Sequence, residues 1–274
     1  MTSGNKLLSL ARAIGNMTDR WRHFSQPRET PQRSFPPDGD AALQNLRAYG
    51  YAVIPAFCDA TRCALLCEEV DRVIREQPDV VQHDPFGADQ RIFGAERASA
   101  AIRKFHDADF PIAVGEYYGS RRLTCFSTLA GRISARPGNL GSGQGWHRDA
   151  FHFQYKAMLY LTDVGPESGP FQLLDASHRG ARVFSDMIEV GLQRAPKTRL
   201  TEQQAEALVE AEPQRLKTFT APAGTMILFD SSAIHRGSPI ASGTRYALTN
   251  YYYEPEHIVP VVVKKFAPYA RSSA

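Results

Sequence analysis

The chain places a histidine and an aspartate two residues apart, His147 and Asp149 in the run Gly145-Trp146-His147-Arg148-Asp149, and answers them 86 positions after Asp149 with His235, followed by Arg245. A fold that uses these residues together must lay distant segments side by side, as β-barrels and sandwiches do. In a strand, residues i and i+2 share a face, so His147 and Asp149 are expected to point inward and Arg148 away. Two imidazoles and a carboxylate on one side of Fe(II) leave the opposite positions open, the facial triad of non-haem iron oxygenases. The H-x-D triplet alone recurs by chance and reads equally well as a hydrogen-bonded surface pair.

The pattern around these residues is mainly β with flanking helices. Segments 121–136, 154–163, 169–174, 214–219, 224–229 and 244–253 are rich in β-branched, aromatic and leucine residues with Gly or Pro at the joints, and are expected to form short antiparallel strands. That points to a double-stranded β-helix, a cupin-like jelly roll, which holds ligands in its mouth. Helices are expected over 41–48, 59–76 and 106–118, outside the sheets. In the second, Cys63, Leu66, Val70, Val73 and Ile74 recur at helical spacing as core-facing positions. Gly50 marks a tight turn between the first helix and a short buried strand ending near Pro55.

The order of motifs adds a resemblance. Leu46 to Pro55 is followed by the His147 run, Leu159-Tyr160-Leu161-Thr162-Asp163, Ser168-Gly169-Pro170, Ser177-His178-Arg179, Gly224 to Phe229, His235-Arg236-Gly237-Ser238 and Arg245-Tyr246-Ala247. Over roughly residues 40–255 this resembles the phytanoyl-CoA dioxygenase-like family of Fe(II)- and 2-oxoglutarate-dependent oxygenases. The resemblance implies that His147, Asp149 and His235 bind Fe(II) and that Arg245 holds the distal carboxylate of 2-oxoglutarate. It also implies that O2 oxidises a substrate C–H bond while succinate and CO2 are released. The planar, permanently charged guanidinium suits a carboxylate that must bind in one orientation. Two positions depart from the family pattern. Asp175-Ala176 stands where relatives carry Pro-Gly before the Ser-His, and Gly237 occupies the position of a carboxylate-binding serine or threonine, leaving Ser238 as the candidate. Halogenating relatives lack the carboxylate, so Asp149 implies hydroxylation or another oxidation. Phe151, Phe153 and Tyr155 alternate on one face beyond the ligands and are candidates for the substrate pocket, with core packing the competing role.

Residues 180–213 form a helical, polar insert whose second helix spans Thr201 to Glu210; it reads either as a substrate lid or as a solvated excursion. Its Arg179, Arg182, Arg194, Lys197 and Arg199 suit an anionic or carrier-linked small-molecule substrate, an inference that Asp186 and Glu189 weaken. Residues 1–40 carry an amphipathic helix over about 5–24, able to dock on the barrel, pair with a subunit or rest on a membrane surface, and then a proline-rich linker or strap. Residues 41–274 are expected to form a single domain, for which 43% hydrophobic content supplies the core. A net charge of +3 without a dense basic run gives no call for nucleic acid, and no apolar run is long enough to span a bilayer. Cys58, Cys63, Cys67 and Cys125 lack zinc-site spacing, and reduced thiols in a cytoplasmic protein are expected. Two other classes remain: a non-catalytic jelly-roll module that binds a metal or ligand, which would have no use for Arg245, and a hydrolase using Ser231 or Ser232, which lacks a nucleophile elbow.

Overall fold

In chain order the strands are β1 Tyr51–Ile54, β2 Val81–His83, β3 Asp89–Phe93, β4 Thr124–Ser134, β5 Tyr155–Tyr160, β6 Phe171–Leu174, β7 Leu216–Phe219, β8 Met226–Asp230, β9 His235–Gly237 and β10 Thr244–Tyr253. This computed structural model describes residues 29–191 and 197–266, so the amphipathic helix expected over 5–24, with its docking, pairing or membrane roles, lies outside the described residues. The strands form two antiparallel sheets, ordered β1-β8-β5-β10-β4-β3-β2 and β7-β6-β9. They give the expected jelly roll with flanking helices.

β10 is the spine of the large sheet. Its β-branched and aromatic residues pair with β4 on one side and with β5 on the other, with Leu248 opposite both Ala130 and Leu159. β5, enclosed between β10 and β8, is buried at every position. Its odd residues, Tyr155, Ala157 and Leu159, face a core with Leu66, Val70 and Val73 of the helix Ala60–Glu76 and Phe105 of the helix Ala100–His106. Two even residues, Met158 and Tyr160, face the opposite way and pack with Phe171, Leu173 and Phe219 of the small sheet. The space between the sheets is thus reached from β5 by the even positions.

Local chemistry explains the helix ends. Asp59 caps the helix Ala60–Glu76 by accepting from the Arg62 amide at 2.8 Å, and Thr201 with Gln204 forms a reciprocal capping box on the helix Glu202–Ala211. Gly50 closes the helix Asp40–Tyr49 in the left-handed region at φ 87°, its amide donating to Leu46 O. The helix expected over 106–118 is two helices, Ala100–His106 and Asp109–Gly119, broken at Asp107 and Ala108. Residues of the expected strap do lie along the second of these: the Gln32 and Arg33 amides donate to the buried Glu116 carboxylate at 3.0 and 2.9 Å, and Phe35 meets the Tyr117 ring. Strands β2 and β3 carry no expectation in the sequence reading. Among the described residues no helix is long and apolar enough to cross a membrane.

The described part of the insert is not a solvated excursion. Its helices Gly180–Glu189 and Glu202–Ala211 bury Val183, Met187, Ala205 and Leu208 against Trp146, Leu174 and Ile234. Beneath them, Asp186 accepts two hydrogen bonds from Arg215, at 2.9 and 3.0 Å, and one at 3.3 Å from Arg148, the residue between the two expected ligands. Arg148 also donates to Ser177 O at 2.6 Å and to Ser232 O, tying the ligand loop to the segment that leads into β9. All three charged side chains are buried. Asp186→Ala leaves two guanidiniums buried without their carboxylate and is expected to cost about 3–5 kcal/mol of stability, read from urea unfolding; a loss under about 1 kcal/mol would show that the network carries little weight. At the Asp175-Ala176 departure, Ala176 sits in the left-handed region at φ 55°. Replacing Ala176 by Gly removes the steric penalty on Cβ and is expected to raise stability by about 0.5–1 kcal/mol in the same measurement, the gain being partly offset by glycine's greater freedom in the unfolded chain.

Candidate active site

Backbone pairing, not strand parity, brings the three expected ligands together. His147 and His235 exchange amide-to-carbonyl hydrogen bonds at 2.9 and 2.8 Å, and the Asp149 amide donates to Ser231 O at 2.9 Å. His147 is an isolated bridge residue and Asp149 lies in the loop before β5, so the strand expected to carry both is absent. The side chains nevertheless converge: one ligand atom from each of His147, Asp149 and His235 lies within 4.8 Å of the others, with Asp149 Oδ1 3.9 Å from His147 Nε2 and Asp149 Oδ2 3.8 Å from His235 Nε2.

Each imidazole is oriented by its own chain. His147 Nδ1 lies 2.8 Å from Gly145 O and His235 Nδ1 2.9 Å from Ala233 O. A carbonyl only accepts, so Nδ1 carries the proton in both rings and the Nε2 lone pairs face the common point. Burial, which penalises the imidazolium, keeps both rings neutral, pushing His235 down to about 3 with the adjacent His147 as a second cause. Burial alone would raise the Asp149 carboxyl, but the Lys156 ammonium, with the two imidazoles, holds it well below the usual carboxylate range. Gly143 is required where it stands, because a Cβ there would lie 2.6 Å from His147 Cε1. Two neutral nitrogens and a carboxylate oxygen converging on one point form a donor set that fits a divalent transition metal.

These residues open on a cavity of about 180 Å³ between the sheets, lined also by Arg91, Phe93, Lys156, Met158, Phe171, Arg199, Phe229, Gly237, Arg245 and Tyr251. Arg245, at the start of β10, is buried, and its Nε and Nη1 have no hydrogen-bond partner among the described residues. Burial depresses the guanidinium's pKa, offset in part by Tyr160 and Asp89. A buried cation with two idle donors costs free energy unless an anion meets it, so this wall fits a carboxylate ligand. Arg91, held by Asp89 at 2.7 Å, lines the same cavity.

Several expected residues lie elsewhere. Tyr155 is fully buried, its hydroxyl donating to Pro111 O at 2.8 Å; Phe153 packs on Tyr118 and Gly119; Phe151 joins the cluster under the insert. None lines the cavity, because the loop between Asp149 and Tyr155 breaks the alternation and β5 presents Lys156 and Met158 instead. Ser238 is buried with its amide on Pro170 O, outside the cavity wall, and Gly237 takes the lining position. Ser231 and Ser232 are fully buried, and Ser231 donates to Gln154 O at 3.0 Å, so neither is presented as a hydrolytic nucleophile. Arg199, expected from sequence to suit an anionic substrate, lines the cavity, whereas Lys156 and Arg91 carry no expectation in the sequence reading. A lysine inside the otherwise apolar run of β5 was the one available signal.

The family model for phytanoyl-CoA dioxygenase (PhyH) matches residues 46–247. No curated protein matches the sequence. Among solved structures, the fold is shared with the non-haem α-ketoglutarate-dependent carbocyclase SnoK of nogalamycin biosynthesis, at TM-score 0.61 and 15% identity over 82% of this chain and 90% of that one. It is shared likewise with HygX of Streptomyces hygroscopicus, solved with nickel and 2-oxoglutarate, at TM-score 0.57 and 17% identity over 79% and 87%, and with EctD of S. alaskensis, at 0.59 and 17% over 83% and 82%. With the family model spanning most of the jelly roll, this chain belongs to the phytanoyl-CoA dioxygenase (PhyH) family and is a 2-oxoglutarate-dependent non-haem iron oxygenase.

Proposed function

We propose that the chain oxidises an unactivated C–H bond of a small-molecule or conjugated metabolite, with Fe(II) held by His147, Asp149 and His235 and the distal carboxylate of 2-oxoglutarate held by Arg245. The observation that carries this reading is the pairing of a three-donor cluster with a buried guanidinium whose donors are idle, in one cavity. Iron and 2-oxoglutarate, when bound, supply an oxidant that takes hydrogen from the substrate, with O2 consumed and succinate and CO2 released. The protein's own work is orientation and exclusion. The Nδ1 contacts to Gly145 O and Ala233 O hold the imidazoles, and the Asp149 amide contact holds the carboxylate's backbone. Phe93, Met158, Phe171 and Phe229 give the cavity apolar walls that limit water. The cavity beside the ligand cluster is the space in which the reacting bond would be held.

Solved proteins of the same fold include an epimerase and a carbocyclase. The outcome after hydrogen removal therefore depends on how the substrate is posed; Asp149 fills the position a halide would need, which argues for hydroxylation or another oxidation and against halogenation.

Two variants test the assignment. Asp149→Ala is expected to abolish substrate-dependent succinate formation and the visible charge-transfer band that Fe(II) with 2-oxoglutarate gives in anaerobic titration; full turnover would contradict the ligand set. Arg245→Ala is expected to leave metal binding in place and weaken 2-oxoglutarate by about 2–3 kcal/mol, roughly 30- to 150-fold, in the same titration. An unchanged affinity would place the cosubstrate elsewhere.

A further inference from the structure

Lys156 lines the cavity as a cation that neither the metal cluster nor the cosubstrate site requires. Lys156 lies on β5 with its ammonium against Asp149 Oδ2 and 4.1 Å from the centroid of the Tyr251 ring, and only 4% of the residue is exposed. In the metal-free protein the pair is balanced: burial opposes the ammonium's charge, and the Asp149 carboxylate restores it. Loading the site changes that balance. A divalent metal, the Asp149 carboxylate, a 2-oxoglutarate dianion and the Arg245 guanidinium together carry no net charge, and Arg91 is already matched by Asp89. Lys156 is then a buried cation whose carboxylate is shared with a metal. An unbalanced buried charge is costly, by several kcal/mol when no counter-charge is supplied. Arg199 adds a second positive group. Brought in from the insert by its pairing with His147, it lines the same cavity and keeps one guanidinium nitrogen on the Gly143 and Gln144 carbonyls, at 2.9 and 3.0 Å. Both cations line the same cavity as His147, Asp149 and His235.

We infer that the substrate carries an oxyanion, a carboxylate, phosphate or sulfate, close to the oxidised carbon, received by Lys156 inside the cavity with Arg199 beside the metal loop, once 2-oxoglutarate has covered Arg245. The inference rests on the functional reading above. The cavity, at about 180 Å³, is smaller than the roughly 300–1,000 Å³ of ordinary ligand clefts, so the substrate enters by its charged, reacting end. An ammonium with three donors serves each of these oxyanions, and the phenol ring of Tyr251 stabilises its charge meanwhile.

The test uses the full chain loaded with Ni(II) and saturating 2-oxoglutarate, which binds without turning over, and titrates a series from acetate to hexanoate beside the matched primary amides, by calorimetry. Carboxylates are expected to bind roughly tenfold or more tightly than their amides. With Arg245 covered by 2-oxoglutarate, the preference should vanish in Lys156→Met and persist in Lys156→Arg. Should Lys156→Met fail to fold, the carboxylate-to-amide ratio of the wild-type protein loaded with Ni(II) and 2-oxoglutarate decides alone. Equal affinities with 2-oxoglutarate bound would overturn the inference while leaving the oxygenase reading intact. A carboxylate affinity that falls in proportion as 2-oxoglutarate is raised would assign the anion to the Arg245 wall and overturn it too. Failure of 2-oxoglutarate to bind the Ni(II) protein at all would sink the functional reading, and this inference with it.

Discussion

The reciprocal backbone hydrogen bonds between His147 and His235 are the constraint on which the site depends. They fuse an irregular loop to the start of β9, so that two residues separated by most of the jelly roll become neighbours with a fixed register. Asp149 joins them through its own amide contact with Ser231, and Arg148, turned away from the metal point, bonds the carbonyls of Ser177 and Ser232 from behind. Loops position chemistry well only when their backbone is tied down, and here every ligand has such a tie within a residue of itself. The buried Arg148, Asp186 and Arg215 set extends the tie into the insert, which is why that insert belongs to the frame of the site.

How much of this could be read from the sequence depended on which periodicity held. β10 was legible to the residue, because Thr244–Tyr253 is rich in Thr, Tyr and Leu and begins directly after Gly243, and the helix over 60–76 was legible from its apolar spacing. The convergence of His147, Asp149 and His235 was legible from motif order, yet for a wrong local reason: they share a point through loop pairing and not by alternation along a strand. The same error misplaced Phe151, Phe153 and Tyr155. Alternation predicts sidedness only while the chain stays extended, and five irregular residues before β5 were enough to reverse it. β2 and β3 escaped notice because the first is three residues long and the second carries Asp89, Gln90 and Arg91, a polar sequence whose burial follows from pairing with β4.

Asp175-Ala176 shows the opposite relation between motif and geometry. The departure from Pro-Gly looked like a loosened turn, yet the backbone keeps the left-handed conformation at Ala176. The neighbouring contacts explain it: the Ala176 amide donates to Tyr49 O, and the Ser177 hydroxyl accepts from the Ile234 amide. These contacts, next to the Arg148 bond to Ser177 O, outweigh a local penalty of about 1 kcal/mol. Site geometry has been kept and backbone comfort given up.

The electrostatics of the cavity run against stability in the same way. Arg245 is buried with idle donors, and a guanidinium in that state lowers the stability of the empty protein by an amount on the order of 1–3 kcal/mol. A ligand that satisfies it recovers that cost, and any free energy gained by binding only the folded state appears as added stability. The charge at Lys156 follows the same logic one step later. While the site is empty it is matched by Asp149, and a metal sharing this carboxylate would draw part of its charge away from the ammonium. Both cations thus hold the empty cavity at positive charge, so that an anion entering it recovers part of the cost of burying them.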